Sequence, residues 1–134
     1  MPRGPISWVP TPRGPIPPNV REALLARLEQ HARTRWAGRC RKIVVRFRDA
    51  FAYVDVVAPA LPSLLPVTAD ERARIESVPT RLCRLGYLGT VDRWAFAFYK
   101  YSDESYEPSV DLSGSFETTP EEAFDCAAGV YLIA

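Results

Sequence analysis

The chain has 134 residues, 47% of them hydrophobic and 25% charged, which suits one packed domain and excludes a wholly disordered chain. There is no apolar run of the ~18 residues that a membrane span needs, and the first residues lack the apolar core of a signal peptide, so no membrane partner and a cytoplasmic protein with reduced thiols are expected. The net charge of +1 conceals a division: residues 1–50 carry 11 Lys and Arg against 3 Asp and Glu, and residues 51–134 carry 6 against 13.

Such a split marks either an electrostatic partner or two halves that neutralise each other on folding. Of the 17 basic residues 15 are Arg, whose planar fork suits phosphate or carboxylate. A coding composition rich in Arg, Ala, Gly and Pro gives the same count.

Residues 1–18 hold seven prolines and the fragment Arg-Gly-Pro-Ile twice, so they read as an extended, polyproline-like arm. Trp8 within it tucks onto its own domain or onto a partner. One domain is expected over residues 19–134. Asn19 with Glu22 makes a capping-box start, and Val20, Leu24, Leu25, Leu28 and Ala32 recur at helical spacing. This helix should end between Arg35 and Gly38. Lys42 to Arg48 alternates, with Ile43, Val45 and Phe47 on one side and Lys42, Arg46 and Arg48 on the other. Asp49-Ala50 is a turn, and Phe51 to Val57 returns with Asp55 near a basic residue of the first strand.

Four prolines break the chain between Ala58 and Pro79, and Thr68 with Glu71 opens a short helix to Ser77. Arg81 to Tyr101 forms a second hairpin around Gly89-Thr90-Val91-Asp92. Its second strand sets Trp94, Phe96 and Phe98 against Ala95, Ala97, Tyr99 and Tyr101. Ser102 to Thr118 is an acidic segment, expected to be an ordered or functional loop. Thr119, Pro120 and Glu122 then start a helix with Ala123, Phe124, Ala127, Ala128 and Tyr131 at core spacing. The sum is a two-layer α+β fold: a four-stranded, mainly antiparallel sheet with the N- and C-terminal helices packed on one face.

Catalytic signatures are sparse. His31 is the single His, and there is no Gly-x-Ser-x-Gly turn, Gly-rich phosphate loop or Cys-x-x-Cys. Cys40, Cys83 and Cys126 follow no metal-ligand spacing, and Cys83 and Cys126 lie in apolar runs, so neither metal nor cofactor is expected. A Cys40–His31 pair, or Asp103, Glu104, Glu107 and Asp111 around a cation, would make a small enzyme, the least favoured alternative.

Binding is the leading expectation. Arg33, Arg35, Arg39, Arg41, Lys42, Arg46 and Arg48 form the candidate surface for DNA or RNA, with Tyr53, Tyr99 or Tyr101 to stack on bases. The alternative is a protein-docking or homodimeric accessory subunit that uses Trp8, Tyr99 and Tyr101.

The stretch from Cys83 to Pro108, followed by Gly114 and a Thr-Pro-Glu-Glu helix start, resembles a family of small uncharacterised bacterial proteins. In these a similar Cys-Arg-Leu strand, a Trp-bearing strand and a Lys-Tyr-Ser segment precede a C-terminal helix. The resemblance implies that Lys100, Tyr101, Ser102 and Tyr106 belong to a recurring unit. It implies no catalytic residue.

Overall fold

Strand alternation gives the sheet two unlike faces, one apolar and one mixed. The computed structural model describes residues 10–57 and 66–132, without the side chains of residues 75 and 76. In chain order the elements are α1 (Pro18–Arg35), β1 (Lys42–Arg48), β2 (Phe51–Val57), α2 (Ala69–Ser77), β3 (Thr80–Thr90), β4 (Arg93–Lys100), β5 (Ser105–Pro108), β6 (Glu117–Thr118) and α3 (Pro120–Tyr131). The sheet runs β1-β2-β3-β4-β5 with every pairing antiparallel, and β6 also pairs with β4. The fold is therefore α+β, as expected.

The strand number is larger than the four expected. The two added strands come from the acidic segment, which folds back along β4: Tyr106 lies opposite Tyr99, and Thr118 opposite Trp94. Polar composition concealed them, because an edge strand needs backbone partners more than apolar side chains. Glu104, at φ 51°, lets the chain turn back into β5.

Helices α1 and α3 cover the apolar face. Val20, Leu24, Leu28 and Ala32 of α1 and Ala123, Phe124, Ala127 and Ala128 of α3 join Val54, Leu85, Trp94 and Phe96 in one core. The four α1 residues recur every fourth position and so form a stripe along one side of the helix. Each large apolar side chain buried there stabilises the fold by about 1.5–3 kcal/mol. Among the described residues no helix is long and apolar enough to cross a membrane.

Both later helices start as the sequence predicts, with reciprocal capping boxes at Thr68–Glu71 and Thr119–Glu122. Helix α1 does not use Asn19 as its cap. Pro17 is the N-cap, with no side-chain hydrogen bond, and Pro18 occupies the first turn. Proline has no N–H to satisfy and its φ is already helical, so the helix begins two residues earlier without a polar cap.

The described part of the proline-rich arm is built into the domain. Ile16 is fully buried in the core, Arg13 N–H donates to the Tyr87 carbonyl at 2.7 Å, and Ile16 N–H donates to the Asp49 carbonyl at 3.0 Å. Trp8 lies outside the described residues. A Cβ added at Gly86 would sit 2.6 Å from Pro12 Cγ, whereas one at Gly129, in α3, would meet nothing within 4 Å.

One substitution type should therefore have opposite signs at two sites. Gly86→Ala is expected to destabilise by about 1–3 kcal/mol, because Pro12 is held in place by the Arg13–Tyr87 bond. Gly129→Ala should stabilise by up to about 1 kcal/mol through helix propensity. Urea unfolding of the two variants beside the parent checks both signs.

Candidate functional site

On the face turned away from α1 and α3, arginines alternate with aromatic rings. Strand parity places Arg46 and Arg48 of β1 there, with Phe51, Tyr53 and Asp55 of β2, Arg84 of β3, Tyr99 of β4 and Tyr106 of β5. The register sets Tyr53 opposite Arg46 on one side and Arg84 on the other. Arg81 reaches the same face through a bulge. The partner of Val54 is Cys83 but that of Asp55 is Arg81, so Leu82 is the extra residue and sits in the core. One inserted residue changes the parity and re-aims Arg81.

Small residues in the middle of this face let long side chains meet over them. Ala97, which lies between Arg84 and Pro108 in the register, is one of these. The Tyr53 and Tyr106 rings approach to 5.1 Å between centroids, and Tyr99 and Tyr106 to 4.9 Å. The guanidinium of Arg84 lies 4.3 Å from the Phe51 ring centroid, that of Arg46 5.2 Å from Tyr53, and that of Arg81 5.4 Å from Tyr99. Each such contact contributes about 0.5–1 kcal/mol at an exposed site and holds the cation over its ring.

One buried carboxylate lies among these arginines and rings; Glu117, opposite Ala95 on the same face, is only half-buried and is paired with Arg93. Asp55 is 4% exposed and accepts one ion pair, from Arg46 Nε to Oδ2 at 3.3 Å. Its other oxygen, Oδ1, is buried without a hydrogen-bond partner, the one such side-chain atom among the described residues. Burial pushes the Asp55 carboxyl above its usual range, against the pull of Arg46 and Arg81. Burial likewise raises the Tyr106 hydroxyl, which accepts a long 3.4 Å bond from Arg46.

The structure divides the seven basic residues of the candidate surface. Arg46 and Arg48 belong to the helix-free face. Arg33, Arg41 and Lys42 line a separate cleft of about 410 Å³ where α1 gives way to β1, together with Cys40 and Ile43. Arg35 and Arg39 are exposed around the end of α1. Nearness along the chain did not bring them together, because α1 packs on one face of the sheet and the outward residues of β1 point to the other. Of the aromatic candidates, Tyr53 and Tyr99 lie on the helix-free face, with Tyr99 only 5% exposed. Tyr101 is 46% exposed, and its hydroxyl accepts from the Arg81 N–H at 2.7 Å.

Phe51, Arg81, Arg84 and Tyr106 are the members of this face that the charge map missed. Arg84 had a signal: it is the lone charge at an outward position between Cys83 and Leu85. Arg81 had none, since the bulge is set by pairing with β2.

The catalytic alternatives are not assembled. His31 Nε2 is 2.8 Å from Asp125 Oδ1, and Trp36 Nε1 donates to the same oxygen at 2.8 Å, so these groups tie α1 to α3. Cys40 lines a different cleft, and burial raises its thiol. The acidic residues are spread: Asp103 and Glu107 face Lys100 at 3.3 and 3.8 Å, while Asp111 Oδ1 accepts from Ser113 N, Ser113 Oγ and Ser115 N. Among the described residues no group of three or more His, Cys, Asp or Glu is placed to hold a metal.

Comparison with protein-family models, with curated proteins and with solved structures finds no match to this chain.

Asp111 makes a pH dependence. Burial alone would raise its carboxyl, but the Ser113 hydroxyl and the Ser115 and Ser113 N–H groups outweigh this and hold it below its usual range. A depressed carboxyl stabilises the fold above the unfolded value of about 3.9, and the stabilisation is lost as pH falls through the lower folded value. Asp111→Ala should cost about 1–3 kcal/mol at neutral pH. In urea unfolding the gap between parent and variant should be the same at pH 7 and 5 and begin to close at pH 3.

Proposed function

We propose that this protein binds single-stranded nucleic acid on the helix-free face of its sheet. One observation carries the reading: four arginines, Arg46, Arg48, Arg81 and Arg84, share that face with Phe51, Tyr53, Tyr99 and Tyr106, and three of the guanidiniums already lie over rings. Unpaired bases stack on aromatic rings and on guanidinium planes, and an open sheet holds several such platforms at strand spacing. The same guanidiniums meet the phosphates that run beside the stacked bases. A duplex keeps its base faces inside and would use the charges alone, so the interleaving of rings with charges favours the single strand.

The mechanism is binding without chemistry. Arg48, on β1, the outermost strand among the described residues, meets the nucleic acid first, and its charge draws phosphate in. Bases then settle against Phe51, Tyr53 and Tyr106, displacing the arginines from the rings toward phosphate. Each of these guanidiniums keeps a favourable partner throughout, because it exchanges a ring contact for an anion.

Fluorescence anisotropy with short labelled RNA and DNA, single-stranded and duplex, across a salt series tests this. Single strands should bind more tightly than duplex, with log affinity falling by about 0.7 per phosphate contact for each unit of log salt. Tyr53→Ala should weaken binding by roughly tenfold, the loss of one stacked base at about 1–3 kcal/mol. Arg84→Ala should weaken it and flatten the salt slope, whereas Arg35→Ala should leave both unchanged. No binding at low salt, or equal loss on Arg35→Ala, would overturn the reading.

A further inference from the structure

Asp55 is a buried group on the helix-free face whose chemistry the single-strand reading leaves unused. Four arginines attract phosphate, and a buried carboxylate among them works against that attraction. Its Oδ2 faces Arg46, but Oδ1 has lost its hydration and accepts no hydrogen bond. A buried acceptor left unpaired is costly unless something brings a donor to it.

Arg46 is the partner of this carboxylate and is placed to move. Arg46 lies on an edge strand, its side chain is 49% exposed, and its contacts to Asp55 and to the Tyr106 hydroxyl are long, at 3.3 and 3.4 Å. A phosphate arriving at Arg46 gives the guanidinium another anion, and the carboxylate then loses its ion-pair partner beside the Tyr53 ring and the Tyr106 hydroxyl that Arg46 also touches, where a base would stack.

We infer that Asp55 selects the base held at this position by accepting a hydrogen bond from its exocyclic amino group. The inference rests on the single-strand reading and adds a sequence preference to it. Guanine, cytosine and adenine carry such an amino group on the Watson–Crick edge. Uracil and hypoxanthine carry a carbonyl or a hydrogen in its place; each keeps one ring N–H on that edge, but a donation from it brings the neighbouring carbonyl against the carboxylate, acceptor to acceptor. A site built around a buried acceptor discriminates strongly against a ligand that lacks the donor.

The test uses the full chain and a set of labelled oligouridines with one central residue changed to guanosine, cytidine, adenosine or inosine. The parent protein should bind the three amino-bearing oligomers about tenfold more tightly than the all-uridine and inosine ones. In Asp55→Asn, whose amide both donates and accepts, that gap should shrink below about twofold, because the oligouridine and inosine oligomers bind more tightly than they do to the parent. The guanosine–inosine comparison is made on the parent alone, so it stands even where the variant fails to fold. Equal binding of all five oligomers, or a preference that survives in Asp55→Asn, would overturn the selection and leave the binding reading in place. No binding of any oligomer would overturn both.

Discussion

The register of β3 against β4 is the constraint on which both faces of the sheet depend. It sets Cys83, Leu85 and Tyr87 opposite Phe98, Phe96 and Trp94, and these side chains fill the space under α1 and α3. A slip of one residue would turn Trp94 and Phe96 to water and carry Ala95 and Ala97 into the core. The loss would exceed what any contact on the other face supplies. Arg84 and Tyr99 thus point outward because their neighbours point inward.

Much of the frame was legible in the sequence, because local rules and tertiary packing agree there. Thr119, Pro120 and Glu122 specify a helix start whatever surrounds them, and the alternation from Lys42 to Arg48 specifies a half-buried strand. Three features were not legible. β5 is held by backbone pairing to β4, which polar residues do as well as apolar ones. Ile16 is an anchor only because the turn at Asp49 and the backbone of Tyr87 lie beside it, and no local pattern announces such neighbours. The cap of α1 passed to Pro17 since two consecutive prolines fix the entry of the chain more firmly than the Asn19 side chain would.

The candidate site was half legible for a related reason. Counting charges along the chain finds basic residues but assigns them no side of the sheet. Arg33 and Arg46 are close in sequence, yet one belongs to a helix on the apolar face and the other to the outer side of a strand. Arg84, distant from both, shares its face with Arg46 because β2 lies between their strands and sets Tyr53 opposite each. Two-dimensional neighbourhood on a sheet follows register, and register is visible only once every strand has a partner.

Among the described residues β1 has a partner strand on one side only, so its other edge offers unpaired backbone groups. Such an edge invites pairing with a second chain, and flanking charge is a common defence against it. Lys42, Arg46 and Arg48 supply that defence, since two copies brought edge to edge would set like charges against each other. Like charge on this strand works against edge-to-edge pairing, and removing it would lower that barrier as well as weaken any anion contact. Exchanging Arg for Lys keeps the guard while abolishing the flat guanidinium, which separates colloidal behaviour from recognition.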